Sequence, residues 1–222
     1  SKIFTTFDAS NAWQITQDLY DIYCLPQLIQ KEIAAKGWNK NEIDIVNKAF
    51  TQSDLRWLDF INSAEDFYEK GPGKNINGIA VSIAAPLLSE FLSCVEKEIE
   101  HPNTLDAKLN FAHAETISPF ATLLEIPQAS HASASVFDYA KNWHADQIIP
   151  MASNIQWILY SNGKSYLVKV LLNEKEAALP VSTTTFPYYH WDDVSNFYTN
   201  KLKSLGIDEN TNLHDYLLNI KN

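Results

Sequence analysis

The apolar positions of this 222-residue chain keep a helical spacing in its first half and an alternating one in part of its second. Over residues 10–35, Ala12, Ile15, Leu19, Ile22, Leu25, Ile29 and Ile33 recur every three or four positions, the period of one helix face. Ser10 stands where an N-cap belongs, Gly37 marks a stop, and Pro26 kinks or divides the run. Residues 2–7 form a short strand or an extended lead-in, and a second helical pattern covers 42–50. Ser53 caps a third helix with Leu55, Leu58, Ile61 and Phe67 on its apolar face, and Trp57 and Phe60 belong to the core. "KGPGK" at 70–74 breaks that helix, and 76–99 continues as one long helix bearing Pro86.

Beyond residue 104 the pattern changes. Residues 108–112 read as a short buried strand and 116–124 as a helix, whereas 128–146, rich in Ser and Ala, declares no element. Two runs of β-formers, 155–160 and 166–173, flank Asn162-Gly163, the strongest short-range hairpin signal. "TTTFPYYHW" at 183–191 is irregular, 192–205 is an amphipathic helix, and a short helix follows at 213–220. The expected fold class is α/β with a large α-helical subdomain, divided into a mainly helical 1–104 and an α/β part, 105–222. Three strands fall short of the roughly five or six of a self-sufficient sheet, so the α/β part looks like a portion of a larger one.

Composition narrows the classes. No run approaches the roughly 18 unbroken apolar residues of a membrane span. The opening "SKIFTTFDAS" has neither an apolar h-region nor a small-residue cleavage site, which is compatible with a mature form whose leader has been removed. A net charge of −10 argues against nucleic-acid and acidic-membrane partners. Arg56 is the one arginine, although enzymes that clamp oxyanions usually deploy several guanidinium forks. Cys24 and Cys94 are either buried free thiols or a single disulfide.

The stretch with chemistry in it is "NFAHAETISPF", 110–120. His113 and Glu115, two residues apart at the end of an extended run, point towards one crevice, and the helix that follows presents an anion-favouring N-terminus. A carboxyl whose pKa is raised by burial or by a bound anion can protonate a leaving alcohol. The ordinary alternative is a helix start with a hydrogen-bonded histidine. A zinc deaminase would need Pro-Cys-x-x-Cys downstream, and no cysteine follows position 94. In "EKGPGKNING" the glycines with Lys70 and Lys74 lack the Gly-x4-Gly-Lys-Ser/Thr pattern, so a helix break is the plainer reading. His131 and His190 read as surface or packing residues.

"FAHAETISPFATLL" resembles the second active-site motif of the histidine acid phosphatases, in the multiple inositol polyphosphate phosphatase (phytase-like) branch, which carries His-Ala-Glu where others carry His-Asp. "IIPMASNIQWILYSNGKSYLVKVLLNEKEAALP", 148–180, and "FYEKGPG", 67–73, are similar to further parts of that family in the same order. The resemblance implies a partial histidine-phosphatase-like sheet flanked by helices, hydrolysis of phosphomonoesters through a phosphohistidine, and no metal or organic cofactor. It makes Glu115 the proton donor and His113 a phosphate ligand, with Lys74, His144 and Asn154 as further substrate-site candidates, Asn154 more as a backbone anchor. It also implies a secreted or periplasmic enzyme.

The family's Arg-His-Gly-x-Arg-x-Pro motif, which supplies the nucleophilic histidine, has no match in the chain. The resemblance therefore covers a C-terminal portion. It implies an inactive chain by itself and a partner segment bearing that motif, as a separate chain or a missing region. A non-catalytic remnant binding a phosphorylated ligand or a protein is the alternative, and a helical interaction domain with a coincidental motif is a third.

Overall fold

The computed structural model describes residues 9–28, 30–37 and 48–220, which fall into two compact units, 1–62 and 63–222. The change of composition at residue 104 lies inside the second unit.

In the first unit a 3-10 turn, Ala9–Asn11, leads into α1 (Ala12–Leu28), and α2 (Gln30–Ala35) follows. Ser10 therefore sits inside the turn rather than at an N-cap, and the helical run divides just past Pro26. Gly37, at φ +75°, adopts the left-handed conformation that ends α2. The strand expected at 2–7 and residues 42–47 of the second helical pattern lie outside the described residues, and 48–50 are not helical. α3 (Gln52–Glu69) starts in this unit and ends in the other. Its cap is Thr51, not Ser53. Asp54 donates its backbone N–H to Thr51 Oγ1 at 3.2 Å, and Asp54 Oδ2 accepts the Thr51 backbone N–H at 2.8 Å. This reciprocal box satisfies two otherwise orphaned donors. Trp57 is 57% exposed, which removes it from the core, and it meets Phe60 edge-on at 5.7 Å.

The second unit holds α4 (Ile79–Ser82), α5 (Ala85–Glu100), α6 (Ala114–Leu123), α7 (Ala145–Ile148), α8 (Trp191–Ser204) and α9 (Leu213–Asn219). The single helix expected over 76–99 is two, with Pro86 in the first turn of α5, where a missing N–H breaks no bond. By length and composition 79–100 would suffice to cross a bilayer, a feature that counting unbroken apolar runs misses. Val81, Ala85, Leu88 and Leu92 are instead buried in the protein core.

The strand expected at 108–112 is absent: the segment is irregular, Leu109 is 76% exposed and Phe111 94% exposed. A strand exists only where its N–H and C=O groups find partners, and no described strand lies beside this one. The hairpin is as expected. β1 (Ile155–Ser161) and β2 (Tyr166–Leu172) pair antiparallel from Ile155 opposite Leu172 to Ser161 opposite Tyr166, and Gly163 turns at φ +80°. Two short strands complete the sheet on the other edge of β2: β3 (Lys175–Glu176) and β4 (Tyr189–His190), the latter inside the stretch that looked irregular.

Trp157 of β1 ties the sheet to the helices. Its ring lies 5.7 Å from Phe91, 6.4 Å from Trp191 and 5.9 Å from Tyr198. Phe91 in turn packs on Phe120 of α6 at 5.0 Å. Helix α8 faces this core with Val194, Tyr198 and Leu202, one turn apart each, and Gly206 at φ +86° closes it. Cys24 and Cys94 are both free and half-buried.

Tyr198 Oη donates to the Leu124 carbonyl at 2.8 Å, in full burial. Tyr198→Phe leaves that carbonyl without a partner, at a cost of about 1–3 kcal/mol. Urea unfolding should show a lower midpoint with an unchanged slope.

Candidate active site

Helix α6 fixes the site because its last six residues are buried. From Ser118 to Leu123 every residue is enclosed, and the helix closes with Glu125 in a left-handed conformation at φ +56°. The Glu125 N–H donates to Thr122 O at 2.9 Å and the Ile126 N–H to Ala121 O at 3.3 Å, the paired bonds of a Schellman ending. Thr122 Oγ1 bonds both Ser118 O and Ala129 O at 3.0 Å. Pro119 lacks the N–H that would bond the Glu115 carbonyl, so the first turn is held from its own start.

That start is His113. Its backbone is extended (φ −113°, ψ 175°), and its carbonyl accepts the N–H groups of Thr116 at 3.0 Å and Ile117 at 3.1 Å. Its imidazole makes no capping bond and is exposed, so the ring is available to a ligand. Glu115 lies in the first helical turn, where unpaired N–H groups and the helix dipole favour negative charge.

The Glu115 side chain is 61% exposed and 3.1 Å from Lys70 Nζ. A bond from its own backbone N–H, then Lys70, holds its carboxyl below the ordinary value. Of the two ways of raising its pKa, burial and a bound anion, burial is not found here. The cause is geometric: the exposed segment ahead of His113 supplies no second wall, and the nearby charge is a cation. Two hollows lie elsewhere, one bordered by Glu90, Cys94, Lys97 and Lys108, the other by Leu92, Leu202 and Ile207.

Lys70, named in the sequence only beside Lys74 at a helix break, lies against Glu115. It bridges Asp66, at 2.8 Å, and Glu115. Its backbone N–H and that of Gly71 both bond Asp66 O, at 3.0 and 2.9 Å, and Ser133 N–H bonds Gly73 O at 2.8 Å. Below the loop, Phe67 packs on Tyr139 at 5.0 Å and on Trp143 at 5.5 Å. A methyl at Gly71 would come within 2.9 Å of Phe67 O and 3.2 Å of the Trp143 ring, so only glycine lets the loop lie this close. The Asp66/Lys70 spacing of four was a readable helix pair. The reach to Glu115 was not, since it depends on the fold.

The remaining candidates separate. Lys74, four residues along the same loop, is exposed and makes no ion pair among the described residues. His144 is exposed at the N-cap of α7, next to buried Trp143. Asn154 sits at the foot of the hairpin, where its backbone N–H donates to Asn173 Oδ1 at 3.1 Å and its Oδ1 accepts Gln156 Nε2 at 2.9 Å. Asn173, in turn, donates to Gln147 O at 2.9 Å and Ile148 O at 3.1 Å. Asn154 is thus part of a backbone clamp. His131 and His190 are exposed, His131 Nδ1 lying 2.6 Å from Pro127 O.

Comparison with known proteins identifies the family. The family model described as histidine phosphatase superfamily (branch 2) matches residues 8–173. Multiple inositol polyphosphate phosphatase 1 of Homo sapiens is 27% identical over 82% of this chain and 38% of its own length; that of Gallus gallus is 22% identical over 72% and 38%. The phosphate complex of the multiple inositol polyphosphate phosphatase of Bifidobacterium longum superposes with a TM-score of 0.62 at 27% identity, covering 82% of this chain and 40% of that one. Its apo form gives 0.56 at 31% identity, over 69% and 34%. The chain spans about two-fifths of the length of these relatives. It belongs to branch 2 of the histidine phosphatase superfamily, in the multiple inositol polyphosphate phosphatase branch.

Proposed function

We propose that this chain is the C-terminal portion of a phosphomonoesterase that hydrolyses phosphate esters such as inositol polyphosphates, with Glu115 as proton donor and His113 as a phosphate ligand. The observation that carries this reading is the placement of His113-Ala114-Glu115 at the N-cap and first turn of the buried helix α6, in a chain that matches the family over 8–173. Helix N–H groups, an imidazole and an ammonium on one side of a ligand suit a phosphate ester. Phosphoryl transfer then needs a nucleophile in line with the leaving oxygen and charge stabilisation around it.

The nucleophile comes from a segment bearing the Arg-His-Gly motif, in a separate chain or a further region. Two observations support this. Arg56 is the chain's one arginine. Lys108 pairs with Glu90 at the surface, while Leu109 and Phe111, two residues apart, stand in solvent. Apolar residues on one face of an extended, unpaired segment suit a neighbouring strand that covers them and walls the crevice. Bound phosphate and that wall both push Glu115 towards its protonated form. Lys74 and His144 line the rim, helping to hold a polyanionic substrate. The chemistry calls on no metal or organic cofactor, and neither nucleic acid nor membrane is a partner. On this reading the chain comprises a mainly helical 1–104 and an α/β part, 105–222, and the enzyme is secreted or periplasmic. A solvent-exposed, ionised Glu115 favours a second reading, a non-catalytic remnant that binds a phosphorylated ligand or a protein.

Three measurements decide between the readings. The chain alone should not hydrolyse p-nitrophenyl phosphate or phytate, whereas the chain combined with the motif-bearing segment should; phosphate-ester binding without turnover in both settings selects the remnant. In the reconstituted enzyme, Glu115→Gln should lower kcat by about 10²–10⁴-fold, the range for removing a general acid. Lys74→Ala should raise KM for phytate more than for p-nitrophenyl phosphate with kcat little changed, the signature of lost substrate binding.

A further inference from the structure

We propose that Lys70 is a positioning residue for the acid–base step: anchored on Asp66, its ammonium orients Glu115 and sets the pH range in which that carboxyl delivers a proton. The inference rests on the phosphatase reading above and adds to it a residue outside the His-Ala-Glu motif.

The argument is geometric. Lys70 follows the last residue of α3, with its backbone N–H on Asp66 O at 3.0 Å and its Nζ on Asp66 Oδ1 at 2.8 Å. The chain then enters the Gly71–Gly73 loop, which is buried against Phe67 and Trp143 and has no room for a side chain at position 71. The base of the lysine is therefore fixed, and its half-buried ammonium reaches Glu115 Oε1 at 3.1 Å from a defined direction. The charged or titratable groups acting on Glu115 are Lys70 from the end of α3, Asp66 behind it, and His113 on its own segment.

An exposed pair of this kind adds little to folding stability, so its consequence lies in the proton. A cation beside the carboxylate favours the ionised form, and the bond from its own backbone N–H together with Lys70 keeps Glu115 below its ordinary value. The ammonium has three donors, two of them engaged here, so an arriving phosphate oxygen can take the third while its negative charge makes Glu115 easier to protonate. Glu115 then gives its proton to the leaving alkoxide and returns to the carboxylate that Lys70 holds. Neutralising Lys70 moves proton uptake by Glu115 to higher pH. A general acid works below its pKa, so the alkaline limb of the pH–rate profile moves up with it.

The test begins on the chain alone, with ¹³Cδ-labelled glutamate and the Glu115 signal assigned by its loss in Glu115→Gln. Lys70→Met should raise the titration midpoint of that signal, and Lys70→Arg should leave it low. In the unmutated chain, raising NaCl from about 0.1 M to about 1 M shortens the screening length from about 10 Å to about 3 Å and should also raise it. An unmoved midpoint in Lys70→Met, or equal movement in Met and Arg variants, overturns the proposal. In the reconstituted enzyme Lys70→Met should shift the alkaline limb upward, and Lys70→Arg should restore it. Absence of hydrolysis in every reconstituted form would instead overturn the phosphatase reading, and with it any catalytic use of the pair, whatever the midpoints show.

Discussion

The structure depends on the burial of one short helix. Six consecutive residues of α6, Ser118 to Leu123, are enclosed by other elements, and this fixes both ends of the helix. At its C-terminal end Leu124 O receives the Tyr198 hydroxyl, and Glu125 pairs with Lys201 of α8. At its N-terminal end the same rigidity delivers His113 and Glu115 to the surface in a defined orientation. A helix held by its own propensity would fray at a first turn that Pro119 leaves partly unbonded. Here packing replaces that missing bond.

The second constraint is aromatic. Phe67, Tyr139 and Trp143 form the floor under the glycine loop, while Phe91, Phe120, Trp157, Trp191 and Tyr198 join α5, α6, α8 and the hairpin. Large rings bury much area with few rotatable bonds, so they fix geometry at low entropic cost. The first floor sets the height of Lys70 and the second cluster sets α6. The Lys70–Glu115 contact is the product of two separately packed groups meeting at the surface.

Electrostatics bears directly on the role proposed for Glu115. Glu115 is ionised, open to water and beside a cation, the opposite of the shielded acid a leaving group needs. Leu109 and Phe111 stand in solvent on the segment that leads to it. Both features have one physical origin, an extended run with no neighbouring strand among the described residues. The phosphatase reading and the exposure of its acid are compatible once that run is covered.

Local sequence determined what local forces decide. The Asn162-Gly163 turn, the helix stop at Gly37, the amphipathic helix near 192–205 and the His-Ala-Glu motif were all legible because each rests on backbone sterics, periodicity or residue chemistry. Even there the cap went to Thr51 rather than Ser53, since reciprocal bonding with Asp54 outweighs the generic preference for serine. Tertiary structure alone decided the rest. Whether 108–112 becomes a strand depends on a partner, whether 79–100 enters a core depends on what packs on it, and Trp57 looked like core until its surroundings were known. Lys70 reaches Glu115 only because folding brings distant positions together, and that contact, after the bond from the Glu115 backbone N–H, lowers the proton affinity of the carboxyl, a property of surroundings which no run of residues carries by itself.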